Sequence, residues 1–543
     1  MGGDEATVTP HAPGRTMAGP RSLRVWIPVL LSCLLLSWFL PGWLDAGFGW
    51  DDRQLLFENP AIRDFSIGSI FSEGFWSFRG NGEMYRPLTA LSLAFDHQLF
   101  GEDPLGYHRV NLLLHLLACL LLTLGILGPK SRWALPFFLV LYLHPSSAEQ
   151  AIWIAGRVGS LMLCWGGLAM LAARRRAWIL SACLVFVAGL CRDDGILFFV
   201  LVPLVLPVRL AEYARRAVPF LLLWLAVRFF VLGGEALPLD PETSRGLLQR
   251  LGDVLTSFGF TTEVVLLFER PRLMQSGLPD AGWAVVALPL FLVWMGVCRT
   301  KGWWGSLRAA CAVLLVFVPF SGFVRLGEPV GGRYAYALVP WTLAMILLVP
   351  AVRRLRPLWF VPTALLLLPL WFREASVLAR AETTYARVLE YEPKSRRARL
   401  NLALEWERLG QQTRALSQFE ELMRQHPRYA KPFVNRGRLL YQMGEKQRGL
   451  AALDRATRDF PRSSRGWLTY GRFLYREHRY EEAAHAMEKC LSVRPSETQA
   501  LLFLCRARLR QGDVDRARKA YEDLRRIAPR HPALESLRRE MLR

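Results

Sequence analysis

From Val25 to residue 372 the chain alternates long apolar runs with short basic or polar breaks. A bilayer's hydrocarbon layer takes about 20 apolar residues in a helix. The first run, Val25–Leu44, has that length. Further runs cover roughly 108–128, 133–143, 158–173, 177–190, 195–208, 217–233, 282–298, 309–324, 336–352 and 358–372. The breaks orient them through the tendency of basic loops to stay inside. With the N-terminus inside, Lys130/Arg132, Arg174–Arg176, Arg209/Arg215/Arg216, Arg299/Lys301/Arg308 and Arg353/Arg354/Arg356 all fall inside. This requires 234–281 to stay outside. Residues 246–268, interrupted by Arg250, Asp253 and Glu263, then form an interfacial or re-entrant helix. The pattern predicts about 11 crossings. Residues 1–24 read as a disordered cytoplasmic lead. A cleaved signal peptide is the rival for 25–46, and the later membrane segments weigh against it.

After residue 373 the pattern changes from apolar runs to short amphipathic helices. Pro393, Pro427, Pro461, Pro495 and Pro529 recur every 34 residues. Ala403, Gly437, Gly471 and Cys505 share that spacing, as do Ala415, Gly449, Ala483 and Ala517. Phe419, Leu453, Met487 and Tyr521 mark a bulky position. This is the tetratricopeptide pattern: small residues let two helices touch, a bulky one fills the gap, and proline ends the second helix. Four repeats span about 396–529, preceded by a partial one carrying Ala381, Tyr385 and Pro393. The predicted class is all-α, with a membrane helix bundle over 25–373 and a repeat superhelix over 374–543.

Charge sharpens this division. Of the formal net charge of +22, residues 381–543 hold +14, from 35 Lys and Arg against 21 Asp and Glu. On a domain tethered to a bilayer, anionic lipid headgroups are the expected partners, not nucleic acid. The nine cysteines lie mostly in apolar runs and form neither a zinc pattern nor a disulfide framework.

The candidate chemistry lies between the crossings. Asp51 and Asp52 follow the first run directly. Adjacent carboxylates repel, which raises the pKa of at least one and suits a general base. A solvated loop that stops the helix from sliding is the plainer alternative. The topology delivers Asp51/Asp52, His144 to Arg157, Arg192-Asp193-Asp194 and Arg333-Tyr334 to the outer face together. Charged groups near hydrocarbon are costly unless paired or wet, so four such clusters point to one cavity. Residues 45–107 are aromatic-rich, and Thr89–Phe100 reads as an amphipathic helix lying on the membrane. No nucleotide-binding loop is visible, and two adjacent Asp residues alone predict no metal.

Trp50-Asp51-Asp52, Tyr85-Arg86-Pro87-Leu88-Thr89 and Gly106-Tyr107-His108-Arg109-Val110-Asn111-Leu112-Leu113-Leu114-His115 resemble the transmembrane-plus-TPR O-mannosyltransferases that act on cadherins, and their bacterial relatives. His144-Pro145 with Glu149, Ala155-Gly156-Arg157 and Arg333-Tyr334-Ala335-Tyr336 resemble that family's later loops. The resemblance implies a GT-C fold and an inverting transferase. Its donor would be a polyprenyl-phosphate sugar, with mannose a candidate, and no further cofactor is implied. By that resemblance Asp51 is the base, Asp52 assists, and Arg86, Arg157 and Arg333 meet the lipid phosphate. His144 and Glu149 orient acceptor or donor, and Asp193, Asp194 and Tyr334 belong to the substrate-binding loops. The chain departs from the family in having Arg192-Asp193 for Lys-Glu, and Gly332 where an acidic residue precedes the arginine.

The acceptor implied is an extracytoplasmic protein or glycan hydroxyl, with the repeats recruiting acceptor or protein partners. A polymerase or ligase of lipid-linked glycans and a non-catalytic membrane scaffold are the alternatives. No Asn-x-Ser/Thr sequon occurs, which favours a bacterial inner membrane over a secretory compartment.

Overall fold

The computed structural model describes residues 20–39, 46–49, 51–79, 84–206, 208–233, 339–341, 343–344, 356–357, 360–529 and 533–542. Arg333, Tyr334, the runs 282–298 and 309–324 and the segment 246–268 lie outside the described residues. The chain divides into two compact units, Met1–Thr384 and Tyr385–Arg543. Regular structure among the described residues is helical.

The first unit begins with α1, Pro20–Phe39. Two short helices follow, α2 (Pro60–Arg63) and α3 (Ile67–Ser72), then α4 (Pro87–Phe100). Next come α5 (Pro104–Leu127), α6 (Ala134–Leu143), α7 (Ser147–Ile152), α8 (Arg157–Arg174) and α9 (Trp178–Cys191). A 3-10 turn, Asp193–Leu197, leads to α10 (Phe198–Val205) and α11 (Leu210–Leu232), and α12 is Phe360–Leu378.

The α5 helix starts where Asp103 accepts the Leu105 N–H with proline in the first turn, and ends at Gly128, φ +82°. It packs closely on α8 because Gly125 and Gly167 face across the contact. A Cβ on Gly167 would sit 2.7 Å from the Leu121 backbone. Close approach through small residues is how helices associate where water supplies no driving force. Large apolar side chains point outward instead: Ile27, Leu31 and Leu35 along α1, Ile179 and Leu180 on α9, and Leu222, Phe229 and Phe230 on α11.

Among the described residues two helices, Pro104–Leu127 and Ile154–Arg174, are long and apolar enough to cross a membrane. The run 133–143 yields only the ten residues of α6, and 195–208 only the eight of α10. At 1.5 Å per residue neither spans a hydrocarbon layer alone. Proline explains both ends. His144 precedes Pro145 and Leu206 precedes Pro207, and each adopts the extended backbone that proline imposes on its predecessor. The α4 helix is amphipathic, burying Thr89, Ala90, Leu93, Ala94 and Asp96 while exposing Phe95 and Leu99. Together with Ile67 and Phe71 of α3, these give the region an outward apolar surface.

The second unit continues α13 (Ala381–Tyr391) into α14 (Arg396–Arg408), α15 (Gln412–Gln425), α16 (Ala430–Gln442) and α17 (Lys446–Asp459). It ends with α18 (Ser464–Arg476), α19 (Tyr480–Val493), α20 (Thr498–Arg510), α21 (Val514–Ile527) and α22 (Leu534–Met541). These pack as successive antiparallel pairs. Ala403, Ala415, Phe419, Leu453, Ala483, Met487, Cys505 and Ala517 are all buried, as the 34-residue register requires. A Cβ on Gly449 would lie 2.6 Å from the Tyr441 backbone nitrogen. Gly449→Val is therefore expected to destabilise the repeats by about 1–3 kcal/mol, checked by the thermal midpoint of the purified protein.

Candidate active site

Asp52 is buried at the start of a turn that follows Gly49. Its Oδ2 accepts the Gly49 N–H at 3.0 Å, and its Oδ1 accepts the Ala155 N–H at 2.9 Å. The side chain thus ties the segment after α1 to the turn that opens α8. Burial pushes its carboxyl well above the ordinary range, and the neighbouring Asp51 charge adds to this; the backbone N–H donors pull it partly back. Asp51 is half-buried, the more accessible of the two.

A second network is strung along α4. Arg157 at the start of α8 is fully buried. Its Nε donates to Asn111 Oδ1 at 2.7 Å and its Nη1 to the Ser92 hydroxyl at 2.9 Å. Its Nη2 donates to Asp96 and, at 3.4 Å, to the Tyr107 carbonyl. Asn111 in turn donates to the Trp153 carbonyl at 2.9 Å. Burial raises the Asp96 carboxyl, and the guanidinium opposes that rise. Seven residues back along α4, Thr89 donates to the Cys191 carbonyl at 2.9 Å, which fixes α4 to the end of α9.

At its N-terminus α4 reaches a third cluster. Asp193, which opens the 3-10 turn, pairs with Arg228 of α11 and, at 3.8 Å, with Arg86, the N-cap of α4. Asp194 pairs with Arg192 at 3.0 Å. Burial raises the Asp193 carboxyl while Arg86 and Arg228 hold it back down. The Arg228 side chain is buried over the Trp224 ring, and Arg86 lies over Phe75. Gly195 is required here, since a Cβ would come within 2.5 Å of the Ala188 backbone. Beside the cluster lies a groove of about 470 Å³ lined by Phe71, Ser72, Tyr85, Ala226, Val227, Phe230 and Val231. Tyr85 precedes Arg86 in sequence and Val227 precedes Arg228.

Tetratricopeptide-repeat models match residues 372–430, 434–489 and 474–541. The chain is 30% identical over 167 residues to protein O-mannosyl-transferase Tmtc1 of Drosophila melanogaster, covering 28% of this chain and 19% of that protein. It is 32% identical over 113 residues to Tmtc3 of the same species, covering 20% and 12%. It is 32% identical over 121 residues to human TMTC2, covering 21% and 14%. The chain carries tetratricopeptide repeats and is similar in part to protein O-mannosyl-transferases. These matches span about a fifth or less of those relatives' own length. Among solved structures, MamA is 21% identical with a TM-score of 0.25, covering 27% of this chain and 87% of that one. A thermophilic TPR protein of Thermus thermophilus is 22% identical with a TM-score of 0.26, covering 32% and 94%.

The structure links Asp52 to the 153–157 turn and Arg86 to Asp193, while α4 joins the two groups. Arg157, its guanidinium enclosed by Asn111, Ser92, Asp96 and Tyr107, fastens α4, α5 and α8 together. His144 is buried at the start of the α7 turn, where its Nδ1 accepts the Ser146 N–H at 3.2 Å. Glu149 is buried within α7. Sequence reading passed over Arg228 and Asp96. The available signal was a lone arginine inside an apolar run, which in a membrane helix marks a functional or paired position.

Proposed function

We propose that the chain is a multi-pass GT-C-type glycosyltransferase that moves a sugar from a polyprenyl phosphate to an extracytoplasmic protein hydroxyl. The observation carrying this reading is Asp193 held between Arg86 and Arg228, beside an apolar groove. Two guanidiniums against one carboxylate leave a net positive cluster. A phosphate fits that charge bidentately, and an isoprenoid tail fits the groove. Asp51 takes the proton from the acceptor hydroxyl as its oxygen attacks the anomeric carbon. The bond from that carbon to the phosphate oxygen breaks with inversion, and the arginines hold the departing phosphate charge. Asp193 positions the two arginines, while Asp52 and Arg157 hold the scaffold. Arg333 and Tyr334 complete the donor side in this reading. Mannose is the sugar favoured by the relatives' names.

Arg228→Gln is expected to raise the KM for donor lipid by about tenfold or more, with Arg228→Lys recovering part of the loss. Unchanged KM in a folded Arg228→Gln protein would remove the phosphate assignment.

The topology that suits this reading has about 11 crossings in a bacterial inner membrane, with the N-terminus cytoplasmic and residues 374–543 outside. The short α6 and α10 enter it as crossings completed by neighbouring turns. Protease added to sealed right-side-out vesicles should remove the repeats. Repeats that stay protected would place the site and the repeats on the wrong side.

A further inference from the structure

One buried side chain of the stretch 106–115 has no part in the networks above. His108, near the start of α5, is 2% exposed. Its Nε2 lies 3.3 Å from the Gly47 carbonyl. A carbonyl only accepts, so Nε2 carries the hydrogen and donates. The other ring nitrogen, Nδ1, is buried without a hydrogen-bond partner among the described residues. One of the two ring nitrogens is thus idle in a buried place. An apolar side chain of similar size would cost less there, so what the histidine contributes lies at Gly47.

Gly47 leads into the turn that carries Asp51. Gly49 and Asp52 close that turn with two bonds. The Gly49 N–H donates to Asp52 Oδ2 at 3.0 Å, and the Asp52 N–H donates to the Gly49 carbonyl at 2.9 Å. The Leu55 N–H donates to the Asp51 carbonyl at 2.9 Å and carries the turn into helical backbone. Closed on itself, the turn still has to be placed on the bundle. On one side Asp52 Oδ1 takes the Ala155 N–H. Asn111 of α5 holds the carbonyls just before it, Trp153 at 2.9 Å and Ile154 at 3.2 Å. On the other side His108, on the same face of α5 as Asn111, holds Gly47. Tyr107 adds an edge-on contact to Phe48 at 5.7 Å. Both tethers of the turn therefore end on α5. Without the His108 bond, residues 47–49 have glycine at both ends and the backbone freedom that goes with it.

We propose that His108 is a positioning residue for the transfer reaction. By holding Gly47 it sets where the Asp51 carboxylate stands against the acceptor hydroxyl. This rests on Asp51 being the base. His108 itself touches neither sugar nor phosphate in this arrangement. A reacting group displaced by about 1 Å loses up to about a hundredfold in rate, while the donor still meets Arg86 and Arg228. Loss of His108 therefore acts on kcat and leaves donor KM in place. Gly47 offers a second handle on the same segment. Nothing lies within 4 Å of where its Cβ would stand, and its backbone is not left-handed. Alanine fits there and narrows the backbone's freedom.

The test uses the full chain in nanodiscs, with amide hydrogen exchange and transfer from polyprenyl-phosphate mannose measured side by side. His108→Leu should speed exchange in the 46–52 segment about fivefold or more, as the loss of one hydrogen bond implies. It should lower kcat about tenfold or more and change donor KM by less than about twofold. His108→Gln, which keeps an N–H donor, should retain most of the protection and of the rate. Adding Gly47→Ala to His108→Leu should restore part of kcat. Adding Gly68→Ala instead, which stiffens the exposed α3 and meets no neighbour, should restore none. Equal rescue by the two alanines would overturn the proposal, because general stability would then explain the loss. Unchanged exchange in His108→Leu would overturn it too, as would faster exchange with a normal kcat. Those results leave Asp51 as the base, whereas an unaltered chain that transfers nothing would remove the transferase reading and this proposal with it.

Discussion

Asp51→Asn is expected to slow sugar transfer by about a hundredfold or more, since a positioned general base contributes roughly 10²–10⁴ in rate. An acceptor hydroxyl holds its proton far above neutral pH, so attack on the sugar needs that proton removed as the phosphate bond breaks. Asp51 is the accessible member of the pair, while Asp52 has both oxygens committed to the Gly49 and Ala155 N–H groups. Asparagine at 51 keeps size and polarity and removes the basic oxygen. Thermal stability and membrane insertion should therefore be unchanged while kcat falls and donor KM stays constant. Asp52→Asn should behave differently. An amide NH₂ would face one of two backbone donors, at a cost of about 1–3 kcal/mol, so its loss of activity should track a loss of folded protein. A normal kcat for Asp51→Asn would move the base elsewhere.

Arg157→Met is expected to destabilise the first unit by about 3–5 kcal/mol, because it leaves the Asp96 carboxylate buried beside an apolar side chain. It also strands Asn111 and Ser92, which Arg157 now bonds. The checks are a lowered thermal aggregation midpoint and poor recovery in detergent. Removing the orphaned charge as well, with Asp96→Leu, should restore part of the midpoint. If Arg157 instead held the donor phosphate, Arg157→Met would fold normally and lose only donor affinity.

The repeats were legible because their rule is local. Small, bulky and proline positions recur every 34 residues, and each helix pair buries them without reference to distant chain. The same locality made α4 legible, since its two faces differ in the sequence itself. Partners within the first unit were not legible. Arg157 and Arg86 carry similar motif weight, yet one is enclosed by Asp96 and Asn111, 61 and 46 positions away, while the other reaches Asp193. Only tertiary packing separates a fastening arginine from one at a groove. Arg228 was hidden by the hydrophobicity around it. The length of α10 was overread because apolar composition runs from 195 to 208, while Leu206, the residue before a proline, already turns to extended backbone.

The central claim is that this chain transfers sugar from a polyprenyl phosphate using Asp51. The direct measurement is transfer of radiolabel from polyprenyl-phosphate mannose to a Ser/Thr-rich peptide by purified protein in nanodiscs, beside the Asp51→Asn variant. The account predicts labelled peptide and released polyprenyl phosphate with the unaltered chain, and at least about a hundredfold less with the variant. Equal labelling by both proteins would contradict it, as would an unaltered, folded chain that labels no acceptor from any polyprenyl-phosphate hexose.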